Sequence, residues 1–210
     1  MVAQDGSARA LKRDKDGAIL EEAHFRNGVL HGPFRVFDPS GRLVRDARFE
    51  AGELDGPDRT LDEAGALALE IMWRAGRRHG AMRRYENGVL QLEAPYREDR
   101  LEGEMRVYGP DGTLSALIPH RGGARHGVME LFGPDGKRLK AIPYVDGLVD
   151  GEAADFGPDG EVAARQTFRR GVKIEAAPEA AAGPGAPGPA QGDEEAARVA
   201  AFRSAFFDKL

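Results

Sequence analysis

Apolar and polar side chains alternate along much of this chain with the two-residue period of a β-strand. One clear segment follows Gly65, where the apolar positions are Leu67, Leu69, Ile71 and Trp73. A second segment follows Gly88, where they are Leu90, Leu92, Ala94 and Tyr96. A period of two with one apolar side is typical of a strand that buries one face. The pattern therefore predicts strands rather than helices.

Turn sequences separate these strands at a fixed interval. Turn glycines fall at positions 17, 41, 65, 88, 112, 136 and 160, and a second series of loop glycines falls at 32, 56, 80, 103, 127 and 151. The interval is 24 residues throughout, with one interval of 23. Several turns read Gly-Pro-Asp-Gly, in which proline fixes a corner, aspartate can bond its own backbone and glycine accepts positive φ. Such a fixed period indicates a repeat array.

The repeat predicts an all-β fold, a single-layer, elongated and twisted antiparallel sheet in which successive hairpins pair edge to edge. Aromatic residues recur at two positions of the unit. The position before the turn holds Phe37, Tyr85, Tyr108, Phe132 and Phe156, with Leu61 as a substitute. The position after the turn holds Phe25, Phe49, Trp73, Tyr96, Tyr144 and Phe168, with His120 as a substitute. We expect equivalent rings to stack in two rows.

Changes in composition along the chain predict four segments. Residues 1–10 are small and polar, and we expect them to be flexible. The array covers residues 11–175, and a linker rich in proline, glycine and alanine covers 176–192. Residues 193–210 are predicted to form an amphipathic helix. Its apolar stripe consists of Val199, Phe202, Phe206 and Leu210.

Four roles are open for this helical stripe. It can pack on the apolar face of the sheet as a tethered cap, dock on a partner, form a dimer or touch a membrane. A one-layer sheet leaves an apolar face that needs cover, which favours the cap. The acidic start of the helix and its few basic residues make membrane contact the weakest of the four.

The unit Gly-x-x-x-Gly-x-x-x-x-[Phe/Tyr], followed by a glycine turn and a second aromatic strand, resembles the MORN repeat. More closely, it resembles the bacterial MORN variant of the YwqK antitoxin family. The matching residues include Asn27-Gly28, His31-Gly32, Phe37 and Gly41, and later Asp146-Gly147, Asp150-Gly151, Phe156 and Gly160. The second unit departs from the pattern at Leu61 and the fourth at Asp99. The resemblance implies a bacterial binding scaffold, with an antitoxin role or with protein or membrane-lipid association.

Composition narrows the classes of function. The net charge of -5 argues against a nucleic acid partner, which normally requires a basic face. Since the chain has no cysteine, disulfides and thiol chemistry are excluded. The N-terminal residues lack the apolar run of a signal peptide, and no stretch approaches the ~18 apolar residues of a membrane span. We expect a cytoplasmic protein.

Candidate catalytic and metal-binding groups are few. His31, His79 and His126 each precede a glycine of the second series, and alternate units carry Asp55, Glu102 and Asp150 at that position. This row can supply metal ligands or pH-sensitive ion pairs. Units about 10 Å apart are too distant to share one zinc ion, however, and polar residues are ordinary beside a turn glycine. We predict no metal, no cofactor and no catalytic residue.

Arginines and exposed aromatic residues are the best candidates for recognition. The arginines can meet a carboxylate-rich partner or anionic lipid headgroups, or they can form a solvated face paired with nearby acids. The predicted partner-binding surface consists of Trp73, Tyr85, Tyr96, Tyr108, Phe132, Tyr144, Arg83 and Arg84. A second predicted element is the docking helix with Val199, Phe202, Phe206 and Leu210.

The sequence leads to three hypotheses of function. The first is a non-enzymatic scaffold, of antitoxin or immunity type, that uses the repeat sheet to bind a partner protein. The alternative is a lipid-associated scaffold in which the C-terminal helix serves as anchor or cap. An enzyme is disfavoured because no nucleophile lies in a Gly-x-Ser-x-Gly turn and the glycine loops lack the Lys-Ser/Thr pair of a phosphate site.

Overall fold

The computed structural model describes residues 6–174, and these form one open sheet of 19 antiparallel strands. In chain order the strands are β1 (Ser7–Arg13), β2 (Ile19–Arg26), β3 (Val29–Phe37), β4 (Leu43–Glu50), β5 (Glu53–Leu54), β6 (Gly56–Leu61), β7 (Leu67–Arg74), β8 (Arg77–Glu86), β9 (Val89–Arg97), β10 (Arg100–Leu101), β11 (Gly103–Tyr108), β12 (Leu114–Arg121), β13 (Ala124–Arg125), β14 (Gly127–Phe132), β15 (Arg138–Val145), β16 (Leu148–Val149), β17 (Gly151–Phe156), β18 (Val162–Arg169) and β19 (Val172–Ile174). The predicted all-β hairpin array is confirmed for this part of the chain. The sheet starts at Ser7, earlier than the predicted boundary at residue 11. The predicted linker and C-terminal helix lie outside the described residues.

Strands pair in chain order, so the sheet is a continuous meander. The two-residue strands β5, β10, β13 and β16 pair with the end of the long strand before them. After one further residue, β6, β11, β14 and β17 continue the pairing with the same long strand. Each repeat unit therefore widens the sheet by two strands.

Hairpins at one edge of the sheet close through two-residue turns in which both residues have positive φ. Asn27 and Gly28, for example, have φ values of 50° and 80°. The twist of such a turn matches that of the flanking strands. Glu98 and Asp99 adopt the same conformation without glycine, at 49° and 65°. The Asp99 carboxylate stabilises this turn because it accepts hydrogen bonds from the backbone N and Nε of Arg78, at 3.0 and 3.1 Å.

Longer loops close the hairpins at the opposite edge. The Asp38 carboxylate accepts hydrogen bonds from two backbone N–H groups of its own loop, at 2.9 and 3.0 Å. One loop on this edge is shorter, because Asn87 and Gly88 form a two-residue turn between the directly paired Glu86 and Val89. This shorter loop accounts for the single interval of 23 residues.

Shortly after each of these loops, one residue has no partner on the neighbouring strand and forms a β-bulge. The bulged residues are Leu20, Val44, Ala68, Gln91, Ser115, Leu139 and Ala163. The alternating pattern placed Leu67 and Leu69 on the same face, and this is wrong. Leu67 pairs with Leu61 and Leu69 with Thr60, and adjacent residues of β6 face opposite sides. An extra residue of this kind shifts which face the following side chains take.

Each glycine of the second series produces another irregularity, since its φ lies between +101° at Gly32 and +118° at Gly151. Side chains are strongly disfavoured in this region of backbone conformation. Space is restricted as well: a Cβ atom on Gly127 would lie 3.0 Å from Cγ of Pro119. Glycine is therefore required here both by the backbone and by the neighbouring strand.

Cross-strand pairing divides the sheet into two faces. We name the face that carries Ala47 and Ala94 the apolar face, and the face that carries Glu70 and Arg83 the charged face. The buried hydrophobic residues all lie on the apolar face: Ala23, Ala47, Leu92, Ala94, Val107, Ala116, Ile118 and Met129. Larger side chains surround the small ones there, as Phe34 does opposite Ala47.

Candidate partner-binding surfaces

The residues predicted to form one partner-binding surface are divided between the two faces of the sheet. Those on the apolar face are Trp73, Tyr96, Tyr144 and Arg84. Those on the charged face are Tyr85, Tyr108, Phe132 and Arg83. The structure therefore does not bring all eight together. The predicted docking residues Val199, Phe202, Phe206 and Leu210 lie outside the described residues.

On the apolar face, the candidate rings stand opposite glycines. Trp73 pairs with Gly56 and Tyr96 with Gly80, and Tyr144 has the same arrangement in its own unit. A ring can lie beside the strand at such a position because glycine has no side chain. All three rings are half-buried, so each presents part of its surface to solvent.

Equivalent rings do not stack on one another, and the predicted ring-on-ring rows are wrong. They lie two strands apart, about 10 Å, whereas paired rings need centroids within about 7 Å. The ring–ring contact found among the described residues joins Phe34 and Phe49, with centroids 5.6 Å apart. These two residues occupy different positions of the repeat.

Side chains of the intervening strands occupy the space between equivalent rings. The guanidinium of Arg78 lies 4.3 Å from the Tyr96 ring centroid, and that of Arg125 lies 4.3 Å from the Tyr144 centroid. Nη1 of Arg125 also donates to the Tyr144 hydroxyl at 3.0 Å. Contacts of this kind stabilise the rings through cation–π attraction. Arginine thus occupies this space beside Tyr96 and Tyr144, whereas Leu30, Leu54 and Leu101 hold the corresponding place in other units.

Trp73 has a polar atom without a partner. Its indole Nε1 is shielded from solvent and makes no hydrogen bond to any of the described residues. A buried N–H group without an acceptor is unfavourable by about 1–3 kcal/mol. The indole N–H of Trp73 therefore destabilises the fold, whereas the Tyr144 hydroxyl is hydrogen-bonded to Arg125.

A row of alternating charge crosses the charged face. Its members stand in direct register on eight strands: Glu22, Arg35, Asp46, Arg59, Glu70, Arg83, Glu93 and Arg106. We call this row the charge ladder. Glu70 at its centre lies 2.8 Å from Arg59 and 3.4 Å from Arg83. Opposite charges directly across a strand pair stabilise a sheet.

Hydrogen bonds shift the pKa of two members of the charge ladder. Glu22 is buried, and hydrogen bonds from His24 and Arg9 hold its pKa below the usual value. Arg83 lies 2.9 Å from Glu93, and this hydrogen bond raises the arginine's pKa. Arg83, predicted as a partner-binding residue, is thus already engaged within the sheet.

The row of histidines and acids braces the two-residue turns. Each histidine contacts an acid at the turn of the next unit, namely His31 with Glu50 at 3.5 Å, His79 with Glu98 at 3.2 Å and His126 with Asp146 at 3.2 Å. In alternate units the acid accepts a hydrogen bond from the backbone of that turn. Asp55 accepts from Ala75 N at 3.1 Å, and Glu102 from Gly122 N at 2.7 Å. Residues 6–174 contain no group of three such side chains arranged to hold a metal ion.

The two-residue turns also bring arginines together. At two successive turns both flanking residues are arginine, and each pair is in direct register, Arg74 with Arg77 and Arg97 with Arg100. Arg121 precedes the next turn, and all five are exposed. We name these five residues the arginine edge. Like charges directly opposite each other destabilise a strand pair, so this arrangement does not serve the fold.

Three side chains of the arginine edge have no polar partner among the described residues. The side chains of Arg74, Arg97 and Arg100 form no ion pair or hydrogen bond there. Arg77 lies 3.1 Å from Glu98 and Arg121 lies 3.4 Å from Asp146, and these two arginines keep 62% and 61% of their side chains exposed. Arg74, Arg97 and Arg100 were not among the residues predicted from the sequence to bind a partner. The short turn at Ala75 and Gly76 was the available signal, since it forces its flanking residues into register.

Two comparisons of the chain with known proteins found no match. No family model matches the chain, and no curated protein matches it. Among the described residues, no helix is long and apolar enough to cross a membrane.

Proposed function

We propose that this chain is a non-enzymatic scaffold that binds a partner protein through its apolar face. The observation that carries the proposal is the row of half-buried rings at Trp73, Tyr96 and Tyr144, each seated over a glycine in the same face of one sheet. Tryptophan and tyrosine are the residues that most often dominate binding energy at protein interfaces. A face held by continuous strand pairing is also pre-organised, which lowers the entropy lost on binding.

The charged groups of the described residues support a scaffold rather than a catalyst. Histidines and acids such as His79 and Glu98 contact each other where they brace the turns. Acids and arginines such as Glu70 and Arg83 contact each other within the charge ladder. These side chains are used to hold strands and turns in place.

The resemblance of the repeat to MORN proteins suggests what kind of partner this scaffold binds. If the resemblance to the YwqK antitoxin family extends to function, the partner is a bacterial toxin that is neutralised in the cytoplasm. The partner would then cover the apolar face, and binding would abolish the toxin's activity.

Site-specific photo-crosslinking tests this proposal. A photoreactive residue is placed at Tyr96 on the apolar face or, as the matched control, at Tyr108 on the charged face, and each full-length chain is irradiated in a lysate of the source organism. We expect one protein to be captured from Tyr96 and not from Tyr108. The captured protein is then purified and titrated against the chain, where Tyr96→Ala should weaken binding about tenfold or more and Tyr108→Ala less than about twofold.

Two outcomes would contradict the proposal. One is equal capture from both faces, and the other is equal loss of affinity in the two alanine variants. Flotation of the chain with anionic vesicles, in the absence of any captured protein, would instead favour the lipid-associated alternative.

A further inference from the structure

We propose that the arginine edge binds an acidic segment of another protein in the polyproline II conformation, with a carboxylate at every third position. This surface is distinct from the apolar face, so the inference stands independently of the proposed function. It begins from an arrangement that the fold does not need. Arg74 stands directly opposite Arg77, and Arg97 directly opposite Arg100, and all four are exposed where their strands end. A feature that breaks a local rule without structural gain is typical of a functional site.

The charge of the edge identifies the ligand as an anion. The chain has a net charge of -5, yet five arginines meet at three neighbouring turns. Of the nearby acids, Glu98 and Asp99 are already bound, by Arg77 and Arg78 respectively, and Glu53 lies beside Gly76. Guanidinium groups bind carboxylates through two parallel hydrogen bonds, which favours a carboxylate ligand.

The geometry of the turns favours an extended peptide over a flat membrane. Glu98 and Asp99 occupy the tip of the central turn, so a flat anionic bilayer resting on the tips would meet these two acids before it reached the flanking arginines. A peptide can lie beside the tips and contact the arginines alone. The turns are also fixed in a row, because Gly76 N donates to Leu54 O at 2.9 Å and Asp99 N to Arg78 O at 3.0 Å.

The spacing of the turns fixes the spacing of the carboxylates. Successive turns lie two strands apart, about 9.6 Å. In polyproline II, every third residue lies on the same side of the helix and advances about 9.3 Å. A glutamate at every third position therefore meets one turn each, the first at Arg74 and Arg77, the second at Arg97 and Arg100, and the third at Arg121. An extended β-strand would place alternate members of that series on opposite sides.

Peptide titration against the full chain tests the inference. The probe repeats Glu-Pro-Pro four times, and the control peptide has the same composition with its four glutamates consecutive. We expect the spaced peptide to bind at least about fivefold more tightly than the clustered one. The variant Arg74→Gln/Arg97→Gln/Arg100→Gln should bind the spaced peptide at least about tenfold more weakly.

A matched variant controls for net charge. The variant Arg26→Gln/Arg169→Gln/Arg170→Gln removes three exposed arginines from the two ends of the same edge. Its affinity for the spaced peptide should fall by less than about twofold. Thermal melting verifies that both variants fold, and the first should melt no lower than the wild type because it relieves like-charge repulsion. Equal affinity for the two peptides, or equal loss in the two variants, would overturn the inference. So would binding to phosphatidylglycerol vesicles that depends on Arg74, Arg97 and Arg100 while the spaced peptide does not bind.

Discussion

From β2 to β11 the central row of the charged face is the charge ladder, whereas from β12 to β18 the same row contains little charge. Its members in the second half are Leu117, Glu130, Ala141, Ala154 and Arg165. Arg121 and His126 share Asp146, and the other ion pairs of that half are isolated, as is the pair of Arg165 with Glu152, in which both side chains are about half exposed. Isolated exposed pairs contribute about 0–1 kcal/mol. In the charge ladder, by contrast, Arg35, Glu70, Arg83 and Glu93 each contact two partners.

The two halves also differ in the residues that lie behind the glycines of the second series. Behind Gly32, Gly56 and Gly80 of the first half lie His24, Arg48 and Met72, whose nearest atoms are 3.5, 3.4 and 3.1 Å from a hypothetical Cβ. In the second half, the rings of Pro119 and Pro143 lie behind Gly127 and Gly151, 3.0 Å from a hypothetical Cβ, and the ring of Pro95 already lies behind Gly103 in β11. One repeat geometry is thus accompanied by the charge ladder in the first half and by rigid proline rings beside the glycines in the second, and both are present at β11. The turns and glycines define the unit, and the side-chain rows can change along it.

The largest difference is expected at the glycines themselves. Gly127→Ala should lower the free energy of unfolding by about 3 kcal/mol, because it combines a disfavoured φ of +116° with contact against a rigid proline ring. Gly32→Ala should lower it by about 1–2 kcal/mol, since the nearest atom is His24 Cβ at 3.5 Å. Urea unfolding followed by circular dichroism measures both. Equal losses would mean that the proline rings do not distinguish the second half.

A smaller effect is expected from the charge ladder. Glu70→Gln should lower the free energy of unfolding by about 1–2 kcal/mol, because Arg59 and Arg83 lose the acid between them. In the second half, Glu152→Gln removes one exposed pair and should change stability by less than about 0.5 kcal/mol. The same unfolding experiment compares them, and a larger loss in Glu152→Gln would reverse the comparison.

Two rings at equivalent positions give a third contrast. Tyr144→Phe in the second half removes the acceptor of the 3.0 Å hydrogen bond from Arg125 and should cost about 0.5–1 kcal/mol. Trp73→Phe in the first half removes a donor that has no acceptor among the described residues, so we expect a change close to zero or slightly stabilising. A substantial loss in Trp73→Phe would show that its indole N–H is bonded in solution.

The smallest effect is a pH dependence of stability due to Glu22, the residue at one end of the charge ladder. Hydrogen bonds from His24 and Arg9 hold its folded pKa below 4.5. Its charged form therefore stabilises the fold above about pH 4.5, and this contribution is lost as the pH falls through the folded pKa. The difference in unfolding free energy between wild type and Glu22→Gln should shrink between about pH 6 and about pH 3. A difference that stays constant over this range would contradict the assignment.

The strands and turns could be predicted from the sequence because their signals are local. Glycine, proline, asparagine and aspartate specify turn conformations from one or two residues, and the 24-residue period repeats them. The resulting hairpin array is the one observed. Even the turn without glycine at Glu98 and Asp99 fits the period, because Arg78 supports it from the preceding unit.

The faces and rows could not be predicted, because they depend on register between strands. A bulge such as the one at Ala68 is invisible in an alternating pattern, yet it reverses the side on which Leu67 lies. For the same reason Arg83 and Arg84 look equivalent in the sequence, whereas one belongs to the charge ladder and the other faces away from it. Candidate surfaces chosen from residue types alone therefore mixed the two faces. The charge ladder itself becomes visible only when eight strands are aligned.

Hydrogen exchange at two salt concentrations tests most directly the claim that connected charges hold the first half and rigid glycine contacts the second. Exchange of the full chain is followed by mass spectrometry in about 50 mM and about 500 mM NaCl, which reduces the screening length several-fold. We predict that backbone amides of β2 to β11 lose protection at high salt, while those of β12 to β18 change little. Equal loss of protection in both halves, or a greater loss in the second, would contradict the account.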